Sequence, residues 1–379
     1  MRFFVLTFLL LACVSRAQAT WNIVIFENRR YVTIEEVATF YQMSPPVNDG
    51  QKFRFTAQGR SIEGSSGGRD ILINGVKYVL CFPILVQNGK TLISAMDVVK
   101  IIEPILRPQK IKDAVAVKTV ILDAGHGGHD SGATGPLGAE KDATLDVVLR
   151  AKKLLEASGF TVKCTRATDT FIPLDDRASF ANRQMNAIFV SIHFNKSNTG
   201  GGTGIETYCL APRGVPSMDE ENLRYSDFVL YPGHAHDAEN VTLATTVHAA
   251  LIRSLGLTDR GIKRARFLVI KNIKIPGILV EGGFMSGAPD YQMINTPDYR
   301  QRMAQCIVDG INRYKQAVAG EVQYQKPSAV ISGTDPTSAP LLDKPKAVVP
   351  PPAPVGDATK IDSSVSKAKD AIRNGTPGN

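Results

Sequence analysis

Two histidines and two glutamates stand where a hydrolytic metal site would put them. His126 follows an apolar run in VILDAGHGG, His193 sits at the end of FVSIHFN, Glu281 closes the run ILVE of ILVEGGF, and Glu140 opens a helix close behind the first histidine. Two imidazoles with one carboxylate form a three-ligand set that holds Zn²⁺ and leaves a fourth position to water, which separates a catalytic zinc site from a structural one. Such chemistry needs two carboxylates in different roles. One ligates; the other stays off the ion and carries a proton from the water to the leaving amine. Spacing alone does not say which acid takes which role, and Asp123, Asp130 and Asp142 compete for either. A lone histidine is more often a hydrogen-bonded structural residue, but two histidines and an acid at equivalent strand ends weaken a purely structural account of all three. His234 and His236, two apart, read as solvated loop residues, as does His129, while His248 lies on a helix and is expected to face polar groups.

The elements that must position these residues alternate strand and helix, the pattern of an α/β domain over residues 117–318. Val117 to Leu122 is a continuous apolar strand, and Val147, Val148, Ala151, Leu154 and Leu155 recur at helical spacing up to Gly159. Further strands are expected at Phe160 to Thr165, Ala187 to Phe194, Gly204 to Leu210, Phe267 to Ile270 and Ile278 to Glu281, with helices near Leu174 to Met185 and Asn240 to Leu255. A last helix has Thr296 as cap and Pro297 in its first turn. This predicts a three-layer fold, with a mostly parallel mixed sheet between helices and the site at the carboxyl ends of its strands. Residues 20–106 instead show short alternating runs separated by turns such as Asn74-Gly75, expected as a small β-rich accessory domain with short helices around Ile34 to Tyr41 and Ala95 to Ile102. Residues 107–116 read as a linker.

The segments DAGHGGHDSGATG, Glu140, RASFAN, SIHFN, GIETYCL, RGIKRARFLVI and PGILVEGGFMSG follow in the order and spacing of the zinc-dependent N-acetylmuramoyl-L-alanine amidases of the third amidase class, which this chain resembles over about residues 117–316. The resemblance implies that His126, Glu140 and His193 bind zinc and that Glu281 is the catalytic acid/base. It places Asn195 in the cleft as a substrate contact and makes Arg177 a buried ion-pair partner. Phe194 and Ser286-Gly287 depart from the family pattern without touching a ligand. The implied activity is hydrolysis of the amide between N-acetylmuramic acid and L-alanine in peptidoglycan; the alternative is a zinc peptidase cutting within the stem peptide. The long segment 211–239 contains Ser217 and Glu220 at capping-box spacing. By resemblance to relatives with an inserted helix there, it is a candidate lid displaced by a protein activator. NGVKYVL with NGKTLISAMDVVKII resembles the copper amine oxidase N-terminal-like domain, although not one of the six histidines lies in that part.

Composition and termini fit an exported protein. MRFFVLTFLLLACVSRAQA has a basic start, an apolar stretch and an Ala17-Gln18-Ala19 exit, the pattern of a signal peptide over residues 1–19. A rival reading makes Leu10-Leu11-Ala12-Cys13 a lipoprotein box. Either implies a periplasmic, extracellular or cell-wall location. Removing the signal leaves 42 basic against 36 acidic side chains, a mildly basic surface suited to an anionic wall polymer, with no sign of nucleic-acid binding and no further stretch near the roughly 20 apolar residues of a membrane span. Cys81, Cys164, Cys209 and Cys306 lie too far apart for a zinc knuckle or redox pair. Residues 319–379, holding Pro350-Pro351-Pro352, read as a disordered tail rich in Pro, Ala and Lys.

Overall fold

The computed structural model describes residues 21–321 apart from 198–200, 219 and 221; the signal segment, Cys13 and the tail beyond residue 321 lie outside the described residues. In the N-terminal part, strands β1 (Lys52–Ala57), β2 (Arg60–Ser65), β3 (Asp70–Ile73) and β4 (Val76–Val79) form an antiparallel meander, with Val47–Asn48 paired to the free side of β1. Ile73 pairs with Val76 across the two-residue turn Asn74-Gly75, where φ values of 54° and 75° give the left-handed backbone that such a turn requires. Four short strands, Val24–Phe26, Arg29–Thr33, Leu85–Gln87 and Lys90–Ser94, make a second sheet, so the unit is a small antiparallel half-barrel. The two expected helices are present. The first, Ile34–Phe40, starts in a Thr33/Glu36 capping box, and the second runs past Ile102 through a π-helical turn to Leu106.

The α/β part follows. Strands β5 (Thr119–Ala124), β6 (Thr161–Cys164), β7 (Ala187–Asn195) and β10 (Gly277–Phe284) are mutually parallel in the spatial order β6-β5-β7-β10. Two further strands, β8 (Ile205–Leu210) and β9 (Asp259–Ala265), run the other way, with β8 antiparallel to β10 and β9 parallel to β8. Being central, β7 is buried on both faces, which is why its sequence is almost continuously apolar. Alternate residues serve opposite layers. Val120, Leu122, Ile188 and Val190 join the core that includes helices α1 (Glu140–Ala157), α3 (Asp237–Leu255) and α4 (Pro297–Val318). Ile121, Phe189 and Leu279 pack toward α2 (Leu174–Asn182) and the short helix Leu268–Lys271.

One expected element is wrong in type. Phe267 to Ile270, read as a strand, contains the start of the helical turn Leu268–Lys271, and the true strand β9 lies just upstream, unrecognised because DRGIKRA carries four charges. Those charges are absorbed by partners. Arg264, 4% exposed, donates to Asp237 Oδ1 at 2.8 Å and to the Leu210 carbonyl at 3.0 Å.

The two units share one sheet. Ile262 of β9 pairs with Tyr78 of β4, so eleven strands run from β6 to Val47–Asn48 without a break. Lys77 N donates to Asp259 Oδ2 (3.0 Å), Tyr78 Oη to Thr245 Oγ1 (3.0 Å) and Thr242 Oγ1 to the Pro104 carbonyl (3.0 Å). The 107–116 segment contains a 3₁₀ turn at Pro108–Lys110 and returns through Val115 N to Glu239 Oε1 (2.8 Å). Among the described residues no helix is long and apolar enough to cross a membrane, and the four cysteines are free thiols.

Candidate metal centre

His126 lies two residues beyond the end of β5, at φ 60°, a left-handed backbone that a non-glycine residue adopts only where its surroundings hold it there. Arg177 supplies part of that hold. Its buried guanidinium donates to the carbonyls of Ala124 (2.5 Å) and His126 (2.7 Å) and forms an ion pair with Asp123 (2.8 Å), so it is the buried ion-pair partner expected of it. Gly125 is required by packing: a Cβ there would lie 2.3 Å from His193 Cε1. Glu140 is the first residue of α1 and 4% exposed, in the turn where the helix dipole favours a carboxylate. His193 projects from the carboxyl-terminal end of β7.

These three side chains converge. Glu140 Oε1 lies 3.0 Å from His126 Nε2 and 3.0 Å from His193 Nδ1 and accepts from Phe194 N at 3.0 Å, while Oε2 accepts from Ala133 N at 2.9 Å. One ligand atom from each residue lies within 4.8 Å of the others. His126 Nδ1 is engaged by Asp130 Oδ2 at 2.9 Å, which fixes the ring and reserves Nε2 for the centre of the cluster. Burial works against an imidazolium at His126, yet Glu140 and Asp130 outweigh it and lift the ring from 6.5 to about 10. Burial likewise opposes ionisation of Glu140, and both histidines override it, holding the carboxyl well below its usual range. The cluster is thus built for positive charge at its centre. With its nitrogen and carboxylate donors it fits a divalent ion of zinc type.

Glu281 lies outside this three-residue cluster. It is the β10 partner of His193 and, on its other side, of Glu206 on β8, so the three occupy adjacent positions across the sheet. Its Oε2 is enclosed and has no hydrogen-bond partner among the described residues. Desolvation pushes its carboxyl well above the ordinary range, and the neighbouring carboxylates of Glu140 and Glu206 add to this. Glu281 thus stands one strand from His193 and outside the ligand set, where a carboxyl can exchange a proton with a group held at the cluster.

The other sequence candidates separate on geometry. Asp123 is fully enclosed by Arg177, Thr165 and Ser191, and Asp142 is exposed on α1, so neither competes for the ion. Asn195 donates to Glu206 Oε2 at 3.0 Å, along the wall that continues from Glu281. His234 and His236 are not solvated as expected: His234 Nε2 is 3.0 Å from the Ala211 carbonyl and His236 Nδ1 is 2.6 Å from Glu239, partners that a spacing pattern does not reveal. His248 does face polar groups, Thr207 and Asp259, both at 2.9 Å, and His129 is exposed against Phe171. Glu206, Lys263 and Arg260 were missed; their only signal was polar residues inside GIETYCL and RGIKRARFLVI.

The 211–239 segment does not cover the cluster. Because β8 runs antiparallel to β10, it enters at the site edge and leaves at the opposite one, and the four residues from Glu206 to Leu210 carry the chain about 13 Å away. There Val215 packs with Tyr31, Cys81, Phe82 and Leu92 of the N-terminal unit. A lid at this place is corrected to a brace between the two units.

Residues 120–313, just over half the chain, match the sequence model of the family described as N-acetylmuramoyl-L-alanine amidase, Amidase_3. The chain belongs to this amidase family. It is 33% identical over 205 residues to the N-acetylmuramoyl-L-alanine amidase LytC of Bacillus subtilis (strain 168), covering 54% of this chain and 37% of that protein. It is 31% identical over 196 residues to the sporulation-specific N-acetylmuramoyl-L-alanine amidase of the same organism, covering 51% of this chain and 67% of the relative. Among solved structures, the catalytic domain of CwlV, an N-acetylmuramoyl-L-alanine amidase from Bacillus (Paenibacillus) polymyxa var. colistinus, aligns with TM-score 0.44 and 32% identity, over 53% of this chain and 99% of that one. The chain therefore spans little more than a third of the length of one of its curated amidase relatives and two thirds of another.

Proposed function

We propose that this protein hydrolyses the amide between the lactyl group of N-acetylmuramic acid and L-alanine in peptidoglycan. The observation that carries the reading is a closed cluster of His126, Glu140 and His193 with a half-buried glutamate beside it, whose Oε2 has no hydrogen-bond partner among the described residues. His126, Glu140 and His193 would hold zinc. When bound, zinc supplies Lewis-acid polarisation of the scissile carbonyl and acidifies water into a nucleophile near neutral pH. Glu281 moves the proton: its carboxylate, unpartnered at Oε2 among the described residues, takes a proton from the attacking water and returns it to the amide nitrogen, so the leaving group departs as an amine. Asp130 keeps His126 in one tautomer, and Arg177 keeps the strand end from which His126 projects in its strained backbone.

Mass spectrometry of digested wall tests the reading. An amidase frees the intact stem peptide from sugar, whereas a peptidase leaves L-alanine on muramic acid. Retention of L-alanine on the sugar refutes the assignment. Chelation should abolish digestion and zinc should restore it. The signal-like N-terminus and the mildly basic charge support an exported protein working in the periplasm or at the wall. The N-terminal half-barrel, with its likeness to copper amine oxidase N-terminal-like domains, we assign to placement of the catalytic sheet rather than to chemistry, since it contains no histidine.

A further inference from the structure

Beyond Glu281, the site wall carries a charged group that the hydrolytic steps leave unused. Glu206, 2% exposed, accepts from Asn195 Nδ2 at 3.0 Å, Tyr208 Oη at 2.6 Å, Arg260 Nε at 2.6 Å and Lys263 Nζ at 2.6 Å. Two cations meet one carboxylate. The other acids nearby are occupied: Asp259 by His248 and backbone amides, Asp290 by Thr203 and the amides of Gly204 and Phe284. Arg260 and Lys263 thus share Glu206, with Glu281 the next acid across the sheet. Lys263 is enclosed, its side chain 12% exposed, but the Arg260 side chain is 40% exposed and lies over the Phe284 ring at 4.9 Å. Only Nε of Arg260 has a hydrogen-bond partner among the described residues, which fixes the guanidinium at its neck and leaves both terminal nitrogens for a ligand. Gly204, at φ 113°, clears the way for that neck, since a Cβ there would lie 2.8 Å from Arg260 Cγ.

We propose that Arg260, tethered by Glu206, is the anchor for a carboxylate of the stem peptide on the leaving side of the scissile amide, and so makes the enzyme prefer acidic over amidated peptides. The proposal rests on the amidase reading above. Position agrees with it. His193, Glu281 and Glu206 are register partners on three adjacent strands about 4.8 Å apart, which places Glu206 about 10 Å from His193. A carboxylate two residues beyond the scissile bond extends about 7 Å from it, within reach of a guanidinium leaning from Glu206. A planar guanidinium with two free nitrogens matches a carboxylate in bidentate fashion, and a carboxamide cannot satisfy the same fork.

The test is binding. Calorimetry would compare a muramoyl peptide bearing D-glutamate as its second residue with the same peptide carrying the α-carboxamide, in Glu281→Gln and in Glu281→Gln/Arg260→Gln, both checked for equal bound zinc. The parent should favour the acidic peptide by about 10- to 100-fold; Arg260→Gln should remove that preference while changing amide binding less than about threefold, and Arg260→Lys should keep part of it. No preference in the parent, or an equal loss for both peptides, overturns the anchor. Cleavage position in wall digests, read separately on the wild type, decides the amidase reading, so the two can fail independently.

Discussion

Replacing Asp123 by asparagine should damage the protein in a way that an exposed charge change does not. Asp123 is 0% exposed and its ion-pair partner Arg177 is 2% exposed. Removing one member of a buried pair leaves the other charge uncompensated and costs about 3–5 kcal/mol. Arg177 keeps its bonds to the carbonyls of Ile172, Ala124 and His126, and asparagine retains one acceptor for Thr165 or Ser191, so the lower end, about 3 kcal/mol, is expected. Against a typical total of about 5–15 kcal/mol that is a large fraction. At about 2–4 °C per kcal/mol for a domain of this size, Tm should fall by roughly 6–12 °C. Urea denaturation at neutral pH is the assay. The sign with pH follows from linkage. Burial raises the Asp123 carboxyl, but Arg177 and the two hydroxyls outweigh it and leave it below its ordinary 3.8. A lowered pKa gives stability that is present above 3.8 and lost as pH falls toward the folded value, so the gap between wild type and variant should close below about pH 3.8. A loss under about 1 kcal/mol at pH 7, or a gap unchanged in acid, would refute the claim that this pair anchors the His126 loop.

Glu281→Gln should keep its zinc, measured by elemental analysis, and lose at least about 10²-fold in kcat. His126→Ala should lose both metal and turnover, and a His126→Ala protein that holds stoichiometric zinc would count against the cluster. Asp130→Ala should weaken zinc affinity by about 10- to 100-fold, seen in chelator competition, because His126 loses the partner that orients its ring. Gly125→Ala should disrupt the site although it touches no charge, since its methyl carbon would occupy the position of the His193 ring.

Much of the candidate site is legible in the sequence. The histidines sit near apolar strand ends, where parallel strands of an α/β sheet present their ligands, and Glu140 shows itself by opening an amphipathic helix. The roles of the two glutamates were not legible from spacing. Their surroundings do separate them: Glu140 faces both rings, whereas Glu281 is half-buried beside Glu206 with Oε2 unpartnered among the described residues. Strand β9 escaped notice because its sequence alternation was masked by Arg260, Lys263 and Arg264, whose partners Glu206 and Asp237 come from distant segments. The direction of β8 was equally hidden. A continuous apolar strand reads the same either way, and only its antiparallel pairing with β10 shows that the 211–239 segment departs from the far edge.

The shared eleven-stranded sheet changes how the accessory half-barrel should be regarded. It acts as a splint on the hydrolase rather than as a passenger. Trp21, the lone tryptophan, lies in that half-barrel against Phe40, so its fluorescence reports one end of the sheet while far-ultraviolet circular dichroism reports the whole. The two signals should melt together as one transition. A protein trimmed to residue 107 onward would bare the ladder of β9 and deprive Arg264 of its bond to the Lys100 carbonyl. Its expected defect is self-association through the naked strand, so poor wall digestion by such a fragment would speak of a broken scaffold and not of lost targeting.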